Sequence, residues 1–370
     1  MSTKIWYDYL MDDEIKKVLS LIESNGFEAY LVGGYVRDFL LGQTTTDIDI
    51  TTNALQKDLL NIFKNTNISP SLYGSCKLIT SKYHFDITTY RRELNYNKGK
   101  LGDIVYTSSL LEDLARRDFT INTICMSKDG SIIDNYNALK DLKQRQIKAV
   151  GDANLKIQED PLRILRALRL SIKLNFKIDK ELLKIIINNI DLLNLLSYEK
   201  KKEELDRILI LPNALDGLKY LKKIGVLKYL ECDFKYLVYV KDLMGMYAQL
   251  DISEKYPFTK EERRNIELLK IIINNKKISK YTIYKYGLYL TNVAASILGI
   301  KHQKIIKMYE EMPIKKDSYL KISTKEIMTI LNIEEIKDYK NKLIKDILDN
   351  KVTNEKEKIE EYLRYNYERN

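Results

Sequence analysis

The stretch Leu31–Thr52, with the sequence LVGGYVRDFLLGQTTTDIDITT, decides the fold of the first part of the chain. Its apolar start predicts the end of a short strand, and Gly33 and Gly34 predict a turn into a short helix that carries Arg37. Glycine lets backbone N–H groups come close to an anion, and a helix N-terminus adds a positive partial charge. Arg37 follows about one turn into this helix, so it can reach the same anion. The pattern therefore predicts an anion-binding turn, although a Gly-Gly turn alone is common.

The end of the same stretch predicts a strand with two carboxylates on one face. Side chains alternate between the faces of a strand, so Asp47 and Asp49 point the same way while Ile48 and Ile50 point into a core. An Asp-x-Asp pair is often only the solvated face of a strand. Beside an anion-binding turn, however, two carboxylates suit a divalent metal and a nucleoside triphosphate.

Composition narrows the class of protein. With 62 basic and 52 acidic residues among 370, the net charge is +10, which favours an anionic partner but also suits an ordinary Lys- and Glu-rich surface. Cys76, Cys125 and Cys232 form no CxxC motif, so neither a disulfide framework nor a zinc site is indicated. Two histidines exclude a His-rich metal centre or an HD-type phosphohydrolase site. Because no signal-peptide pattern or long uncharged apolar run occurs, we expect a cytoplasmic protein with no membrane partner.

Residue spacing divides the chain into two parts, and nine of the 14 glycines lie at or before Gly151. The first part, an α/β head of about 150 residues, alternates strand and helix patterns. Its predicted elements are the helix Asp12–Asn25, the strands Ala29–Val32 and Thr46–Thr51, the helix Ala54–Lys64, the hairpin of Leu78–Ile79 with His84–Thr89, and the strands Thr120–Met126 and Ile132–Ile133. From Leu155 to Tyr367 helical spacing dominates, beginning with Pro161–Leu174, Lys180–Leu196, Glu199–Leu211 and Ala214–Ile224.

Two further motifs carry polar groups beside predicted strands. Asp86, in the strand pattern His84–Thr88, could join the first two carboxylates as a third and accept a hydroxyl proton, or could be only an acid at a strand edge. Arg116 and Arg117 precede a predicted strand, where arginine suits phosphate or ribose contacts, although a surface Arg pair is the alternative.

The last motif, EDPLRILRALR, predicts a helix that begins at Pro161. Every third position is polar and forms one stripe, made by Asp160, Arg163, Arg166 and Arg169. Such a stripe can be a solvated face with ion pairs between its own members. One acid and three arginines can also do a specific task.

That task would be base selection. Cytosine and adenine both present an exocyclic amine donor beside a ring-nitrogen acceptor, so a fixed Asp can accept from the amine while a fixed Arg donates to the ring nitrogen. Uracil and guanine present the reverse pattern, which would cost roughly 1–3 kcal/mol for each mismatched buried group. One Asp–Arg pair is thus a hypothesis for choosing C and A without a nucleic-acid template.

Taken in order, the motifs LVGGYVRDFLLG, TDIDITT, FDITTYRRE, EDLARRDFTIN and EDPLRILRALR closely resemble those of the class II tRNA nucleotidyltransferases, the CCA-adding enzymes, and their poly(A) polymerase relatives. The resemblance implies an α+β fold with a polymerase-β-like nucleotidyltransferase head on a mixed sheet, followed by an all-α neck, body and tail. We expect the head at residues 1–150, the neck with the base-recognition helix at 151–212, and the tRNA-binding body and tail at 213–370.

The resemblance also implies roles for individual residues. Asp47 and Asp49 would bind two Mg²⁺ ions and, with Asp86, form the catalytic set. The implied nucleotide-binding residues are Gly34 and Arg37 at the triphosphate, Arg117 near the sugar and phosphates, Asp160 and Arg163 at the base edge, and Arg166 and Arg169 in support of the site and the phosphates. The implied partners are CTP, ATP and the acceptor end and elbow of tRNA, with no DNA and no obligate protein partner.

Two segments differ from the family pattern. Asp134–Ala138 has the sequence DNYNA where the family usually has DPFGG, whose glycine pair is associated with a hinge. The flexible loop, Arg92 to about Ser109, has Lys100 and Leu101 in place of the usual Arg-Pro. The implied activity is template-independent addition of C, C and A to the tRNA 3′ end. The alternatives are a CC-adding enzyme, an A-adding enzyme or a poly(A) polymerase and, from a different class, a catalytically silent RNA-binding protein on the same fold.

Overall fold

The computed structural model of the protein describes residues 11–93, 103–333 and 335–367. The chain forms two compact units, of which the first ends at Leu230 and the second begins at Glu231. Lys100 and Leu101 of the predicted flexible loop lie outside the described residues. The division into head, neck, body and tail stays a prediction.

A seven-stranded mixed sheet forms the centre of the first unit. Eleven strands occur in the described part of this unit: β1 Ala29–Leu31, β2 Asp47–Thr52, β3 Ile68–Pro70, β4 Ser75–Ile79, β5 His84–Thr89, β6 Arg91–Glu93, β7 Ile104–Tyr106, β8 Cys125–Met126, β9 Ile132–Ile133, β10 Gln146–Ile147 and β11 Lys177–Ile178. The order across the main sheet is β3-β4-β5-β2-β1-β8-β9. Strands β2 and β5 are parallel, whereas the other neighbours in this sheet are antiparallel. Separate two-stranded sheets pair β6 with β7 and β10 with β11.

Helices precede, interrupt and follow these strands. They are α1 Asp13–Ser24, α2 Gly33–Leu40, α3 Gln56–Ile62, α4 Leu110–Ala115, α5 Ala138–Lys143, α6 Ala153–Glu159, α7 Leu162–Leu174, α8 Lys180–Asn188, α9 Tyr198–Leu209, α10 Ala214–Lys223 and α11 Val226–Tyr229. The residues at its two ends define the limits of α1. The Asp12 carboxylate accepts a hydrogen bond from the Glu14 N–H at 2.9 Å at the start, and Gly26 adopts a left-handed φ of +85° just after the end.

Strand β2 has the predicted alternation. Ile48 and Ile50 are each only 1% exposed, whereas Asp47 is exposed and Asp49 is half-buried. The predicted hairpin is also present, because β4 and β5 pair in antiparallel register from Ser75–Thr88 to Ile79–His84. The carboxylate-bearing strand is therefore held by its apolar face, and the opposite face is left for chemistry.

The predicted strand Thr120–Met126 is wrong in its first half. Thr120–Asn122 form a 3₁₀ turn, and only Cys125–Met126 pair in the sheet. The reason is local hydrogen bonding: the Thr120 hydroxyl donates to Asp141 at 2.8 Å, and the Thr123 hydroxyl donates to the Thr120 carbonyl at 2.7 Å. Such side-chain bonds compete with a strand ladder.

The predicted helix Lys180–Leu196 is also shorter than expected. Helix α8 ends at Asn188, and Ile190–Leu195 continue as a 3₁₀ segment. The Asn189 side chain donates to the Ile185 carbonyl at 2.9 Å and so satisfies a carbonyl at the end of the helix.

The second unit is mainly helical and has its own core. Its elements are β12 Cys232–Asp233, α12 Leu243–Tyr247, β13 Asp251–Ile252, α13 Lys260–Asn275, α14 Lys280–Ile297, α15 His302–Glu310, α16 Thr324–Leu331, α17 Lys337–Leu348 and α18 Lys356–Tyr367. Buried Ile283, Ile305, Ile327, Ile347 and Leu363 belong to one apolar cluster. In the part of the chain that the structure describes, no helix is long and apolar enough to cross a membrane.

Candidate active site

A cleft of about 880 Å³ lies in the first unit, beside the polar end of β2. It gathers most of the residues that the sequence nominated. Its lining includes Gly34, Asp49, Asp86, Arg117, Asp160, Arg163 and Arg166. Asp47, Arg37 and Arg169 are not among its lining residues.

The two parallel strands carry three carboxylates, with Asp47 and Asp49 on β2 and Asp86 on β5. Asp49 lies directly opposite Asp86 in the register, and Asp47 lies opposite His84, whose Nδ1 is 3.7 Å from the Asp47 Oδ1. Burial raises the pKa of Asp49 above its ordinary value, and the facing Asp86 adds to this rise against the opposing charge of Arg117. Partial burial also raises the pKa of Asp86. A cation bound here would relieve the cost of ionising both groups.

The donor set fits a divalent cation that shares its coordination with a substrate. Among the residues described, no three His, Cys, Asp or Glu side chains are gathered into a ready-made metal site. Small hard cations commonly use one or two carboxylates together with substrate phosphates and water. Asp47 and Asp49 supply two carboxylates on one face of β2, and burial raises the pKa of Asp49 despite the nearby charges of Arg117 and Arg37.

The Gly33-Gly34 turn lies against the Asp49 carboxylate. Gly33 has a left-handed φ of +72°, and a Cβ built on it would lie 2.8 Å from the Asp49 Oδ2. The Gly34 N–H donates to the same oxygen at 3.2 Å. The predicted anion-binding turn thus orients the Asp49 carboxylate, and no side chain caps the N-terminus of α2 beside it.

Arg117 brings positive charge to this turn. Its Nη1 is 3.5 Å from the Cβ position of Gly33, and its Nη2 donates to Asp113 at 3.3 Å. The Arg117 Nε is buried and has no hydrogen-bond partner, an exception to the pairing of buried polar groups. Asp113 is fully buried; burial opposes its ionisation, but Arg117 and Arg116 hold its pKa below the usual range. Sequence reasoning missed Asp113, although it lies four residues before a nominated arginine.

Arg37 acts behind the cleft. The side chain is 5% exposed, its Nε donates to Asp38 at 2.7 Å, and its Nη1 donates to the Asn122 Oδ1 at 2.6 Å. It therefore braces α2 against the 3₁₀ turn that contains Asn122, and Asn122 itself lines the cleft.

The helices that follow the head contribute the other wall. Asp160 ends α6, where its Oδ1 accepts from the Leu162 N–H at 3.2 Å. The Arg163 Nη1 donates to the Lys156 carbonyl at 2.7 Å, and Arg166 pairs with Asp118 at 2.8 Å. Burial opposes the ionisation of Asp118, but Arg166 and the hydrogen bonds from Asn122 and the Phe119 N–H together keep the pKa of Asp118 below its ordinary value.

Arg169 points elsewhere. Its Nε donates to Glu204 of α9 at 2.5 Å, and Glu204 is buried. Arg169 thus stabilises the packing of α7 on α9, whereas Asp160, Arg163 and Arg166 line the cleft.

Lys156 connects the two walls, and no sequence signal pointed to it. Its Nζ donates to the carbonyls of Ala115 at 2.7 Å and Arg117 at 2.6 Å, and its own carbonyl holds Arg163. Burial, with the nearby Arg163, lowers the pKa of Lys156 to about 8. A single side chain therefore ties the Arg117 backbone to the segment that carries Asp160.

The segment that differs from the family's DPFGG pattern still forms a tight turn. Asn137 takes a left-handed φ of 54° before α5, a conformation that Asn adopts more readily than most residues. The Asp134 carboxylate accepts from the N–H groups of Ala138 at 2.8 Å and Leu139 at 3.0 Å. The turn is therefore made without glycine.

Comparison with known proteins identifies the family. Residues 29–148 match the family described as Poly A polymerase head domain, and residues 175–234 match the one described as Probable RNA and SrmB-binding site of polymerase A. The CCA-adding enzyme of Limosilactobacillus reuteri is 32% identical over 346 residues, which is 85% of this chain and 86% of that protein. The chain belongs to the CCA-adding enzyme family. It is therefore a nucleotidyltransferase, as the resemblance implied.

Other members of the CCA-adding enzyme family match nearly the whole chain. The enzyme of Anoxybacillus flavithermus is 29% identical, over 97% of this chain and 99% of its own. The crystal structure of the Bacillus stearothermophilus CCA-adding enzyme in complex with CTP has a TM-score of 0.82 at 23% identity, and covers 99% of this chain and 98% of that one. The Thermotoga maritima CCA-adding enzyme complexed with tRNA_CCA has a TM-score of 0.67 at 19% identity, with 96% of each chain covered. The predicted α+β fold with a nucleotidyltransferase head and a helical remainder is confirmed.

Proposed function

We propose that this protein adds C, C and A to the 3′ end of tRNA from CTP and ATP, without a template and with release of pyrophosphate. The observation that carries the proposal is the cleft, whose lining brings together Asp49, Asp86 and Arg117 with Asp160 and Arg163. Relatives over most of the chain are CCA-adding enzymes. The three cysteines are free and buried, in keeping with action in the cytoplasm.

In this reaction the RNA 3′-hydroxyl attacks the α-phosphate in line, and pyrophosphate leaves. Two Mg²⁺ ions held by Asp47 and Asp49 would lower the pKa of the hydroxyl and stabilise the leaving group. Asp86, beside Asp49 in the register, accepts the hydroxyl proton.

The chain's cationic groups bind the triphosphate. Arg117, which lines the cleft, offers its guanidinium to a sugar or phosphate oxygen, and Gly34 lets the substrate approach the backbone of α2. Arg37 supplies buried positive charge from behind and fixes α2 through Asn122.

Base choice rests on Asp160 and Arg163. Arg163 is 7% exposed and its orientation is fixed by the Lys156 carbonyl, so it is a rigid donor at the edge of the cleft. Asp160 is the matching acceptor, and a rigid pair of this polarity accepts C and A. Arg166, held by Asp118, supports the phosphates, and Arg169 supports the helix from its far side.

The helical remainder of this basic protein would grip the acceptor arm and elbow of tRNA by phosphate contacts. Because such binding releases counterions, we expect tRNA affinity to fall steeply as salt rises.

Removal of the carboxylates tests the chemistry. Asp47→Ala or Asp49→Ala should abolish nucleotide incorporation in the presence of Mg²⁺ while tRNA binding, measured by filter retention, persists. Asp216→Ala is the matched control, since its carboxylate is 86% exposed and lies outside the cleft. Measurable incorporation by either cleft variant would contradict the metal assignment.

Removal of either base-selecting group tests the specificity. Asp160→Ala or Arg163→Ala should allow incorporation of UTP and GTP, because the buried mismatch that rejects them is gone. If CTP and ATP use falls while UTP and GTP stay excluded, the pair only positions the substrate.

A further inference from the structure

Tyr73 is an aromatic side chain at the edge of the cleft that none of the roles above uses. It lines the cleft immediately before β4 and is 51% exposed, although the lining around it consists mostly of charged and polar residues. Its backbone is left-handed, with φ 61° and ψ 35°. An exposed aromatic ring in a strained conformation beside a reaction centre requires an explanation.

The left-handed conformation is unusual for this residue type. Eight non-glycine residues in the described part of the chain have a positive φ, and four of them are Asn, which tolerates it best. Of these eight residues, Tyr73 is the one that lines the cleft.

Two neighbours hold Tyr73 in this conformation. The Arg91 Nη1 donates to the Tyr73 carbonyl at 2.8 Å, and the Arg91 guanidinium carbon lies 5.7 Å from the ring centre. The Tyr106 ring packs on the adjacent Gly74 so closely that a Cβ there would lie 2.6 Å from it. The Tyr73 backbone is therefore held in place, with the ring beside the Arg91 guanidinium, before any ligand arrives, which lowers the entropy cost of stacking on the ring.

The order of strands indicates which ligand reaches the ring. The Gly33-Gly34 turn follows β1, Asp49 is on the next strand β2, Asp86 is on β5, and Tyr73 lies at the start of β4 beyond it. In this strand order, the turn proposed to bind the triphosphate lies on one side of Asp49 and Asp86, and Tyr73 lies on the other side. An RNA that presents its 3′-hydroxyl to Asp86 while the nucleotide lies by Gly34 enters from the β4 side.

We propose that Tyr73 is the stacking platform for the 3′-terminal base of the RNA acceptor, an inference that rests on the proposed function. Tyr73 and Asp86 line the same cleft, and Tyr73 lies two residues before Ser75, whose partner on β5 is Thr88, so the ring lies on the β4 side of the carboxylate that would receive the hydroxyl. The terminal base changes each time a nucleotide is added. Stacking on an aromatic face accepts every base, because each base has a π-face.

The test uses an acceptor-stem minihelix RNA whose 3′-terminal base is 2-aminopurine, a base whose fluorescence is quenched by stacking. The full chain is titrated with this RNA without any nucleotide, so the readout does not depend on turnover. Tyr73→Asn removes the ring but suits the left-handed backbone, so the fold is retained, and Tyr73→Phe keeps the stacking face. Leu72→Ala is the control, because Leu72 is 74% exposed next to Tyr73 but does not line the cleft.

We expect binding of the RNA to quench 2-aminopurine with the unaltered chain, Tyr73→Phe and Leu72→Ala, but not with Tyr73→Asn. Loss of one stacked base should raise the Kd and the KM for RNA about 10-fold in Tyr73→Asn, with the KM for CTP unchanged. Equal quenching by Tyr73→Asn would overturn the inference, and so would a rise in the KM for CTP alone. If the unaltered chain quenches the probe but never extends RNA, the result contradicts the proposed CCA addition but still supports stacking of the terminal base on Tyr73.

Discussion

Gly33→Ala should lower kcat strongly with only a modest loss of stability. The new Cβ would lie 2.8 Å from the Asp49 Oδ2, closer than real Cβ contacts, so the carboxylate must move. Gly33 also has a φ of +72°, where alanine is strained.

The two effects have separable sizes. A left-handed alanine costs about 1–2 kcal/mol of stability. Displacement of a catalytic group by about 1 Å can cost about 100-fold in rate. We therefore expect kcat to fall about 100-fold while the free energy of unfolding falls by about 1–2 kcal/mol.

Two other glycines are matched controls. Gly42 has the same φ of +72° but nothing within 4 Å of its Cβ position, so Gly42→Ala has the strain without the clash. Gly34→Ala has neither, since its Cβ would lie 3.6 Å from the Arg37 Nη2 and 3.7 Å from the Asp49 Oδ2. Gly34→Ala serves as a stability control and should be as stable as the unaltered chain or slightly more so.

The assay combines steady-state CTP incorporation with urea unfolding of all three variants. The reasoning is refuted if Gly33→Ala keeps its kcat, or if Gly42→Ala loses as much activity as Gly33→Ala.

Three further changes test other contacts. Lys156→Met should lower kcat/KM for CTP more than Lys156→Arg does. The pKa of Lys156 is about 8 in the folded protein and 10.5 ordinarily, so the free energy of unfolding, measured by urea titration, should rise with pH between these two values. This rise should be absent from Lys156→Met. Arg166→Met should raise the pKa of Asp118, whose stabilising ionisation is then lost at a higher pH during acid titration followed by circular dichroism; an unmoved midpoint would argue against the pair. Gly217→Ala would bring a Cβ to 2.7 Å from Ile172 and should cost about 1–3 kcal/mol, part of which Ile172→Val should restore if crowding is the cause.

Short-range rules predicted the elements that carry the chemistry. The alternation of Asp47 and Asp49 with Ile48 and Ile50 was sufficient for β2, because one face of the strand had to be buried. The same rules failed at Thr120–Asn122, where hydroxyl groups bond to a residue 21 positions away and to a nearby carbonyl.

The stripe at every third position was only partly informative. A helix turns about 100° per residue, so six residues put Arg169 about 120° around α7 from Arg163. This is why Arg163 lines the cleft while Arg169 pairs with Glu204 on α9. The helical geometry was available from the sequence, but the position of α9 was not.

Other parts of the site depend on long-range contacts that no local pattern encodes. Arg37 meets Asn122 across 85 positions, and Lys156 reaches the Arg117 carbonyl across 39. The left-handed Tyr73 is similarly imposed by Arg91, 18 positions later. The sequence predicted which residue types the site needs, whereas the packing decides which of them touch.

Primer extension on one tRNA in three forms, ending at the discriminator base, at C and at CC, is the most direct test of the proposed activity. Each form is given CTP, ATP, both, UTP or GTP with Mg²⁺, and the products are resolved to single nucleotides. The account predicts addition of C, C and then A, followed by a stop, with no use of UTP or GTP. A halt after CC, addition of only the final A, an unending A ladder, or no extension at all would contradict it.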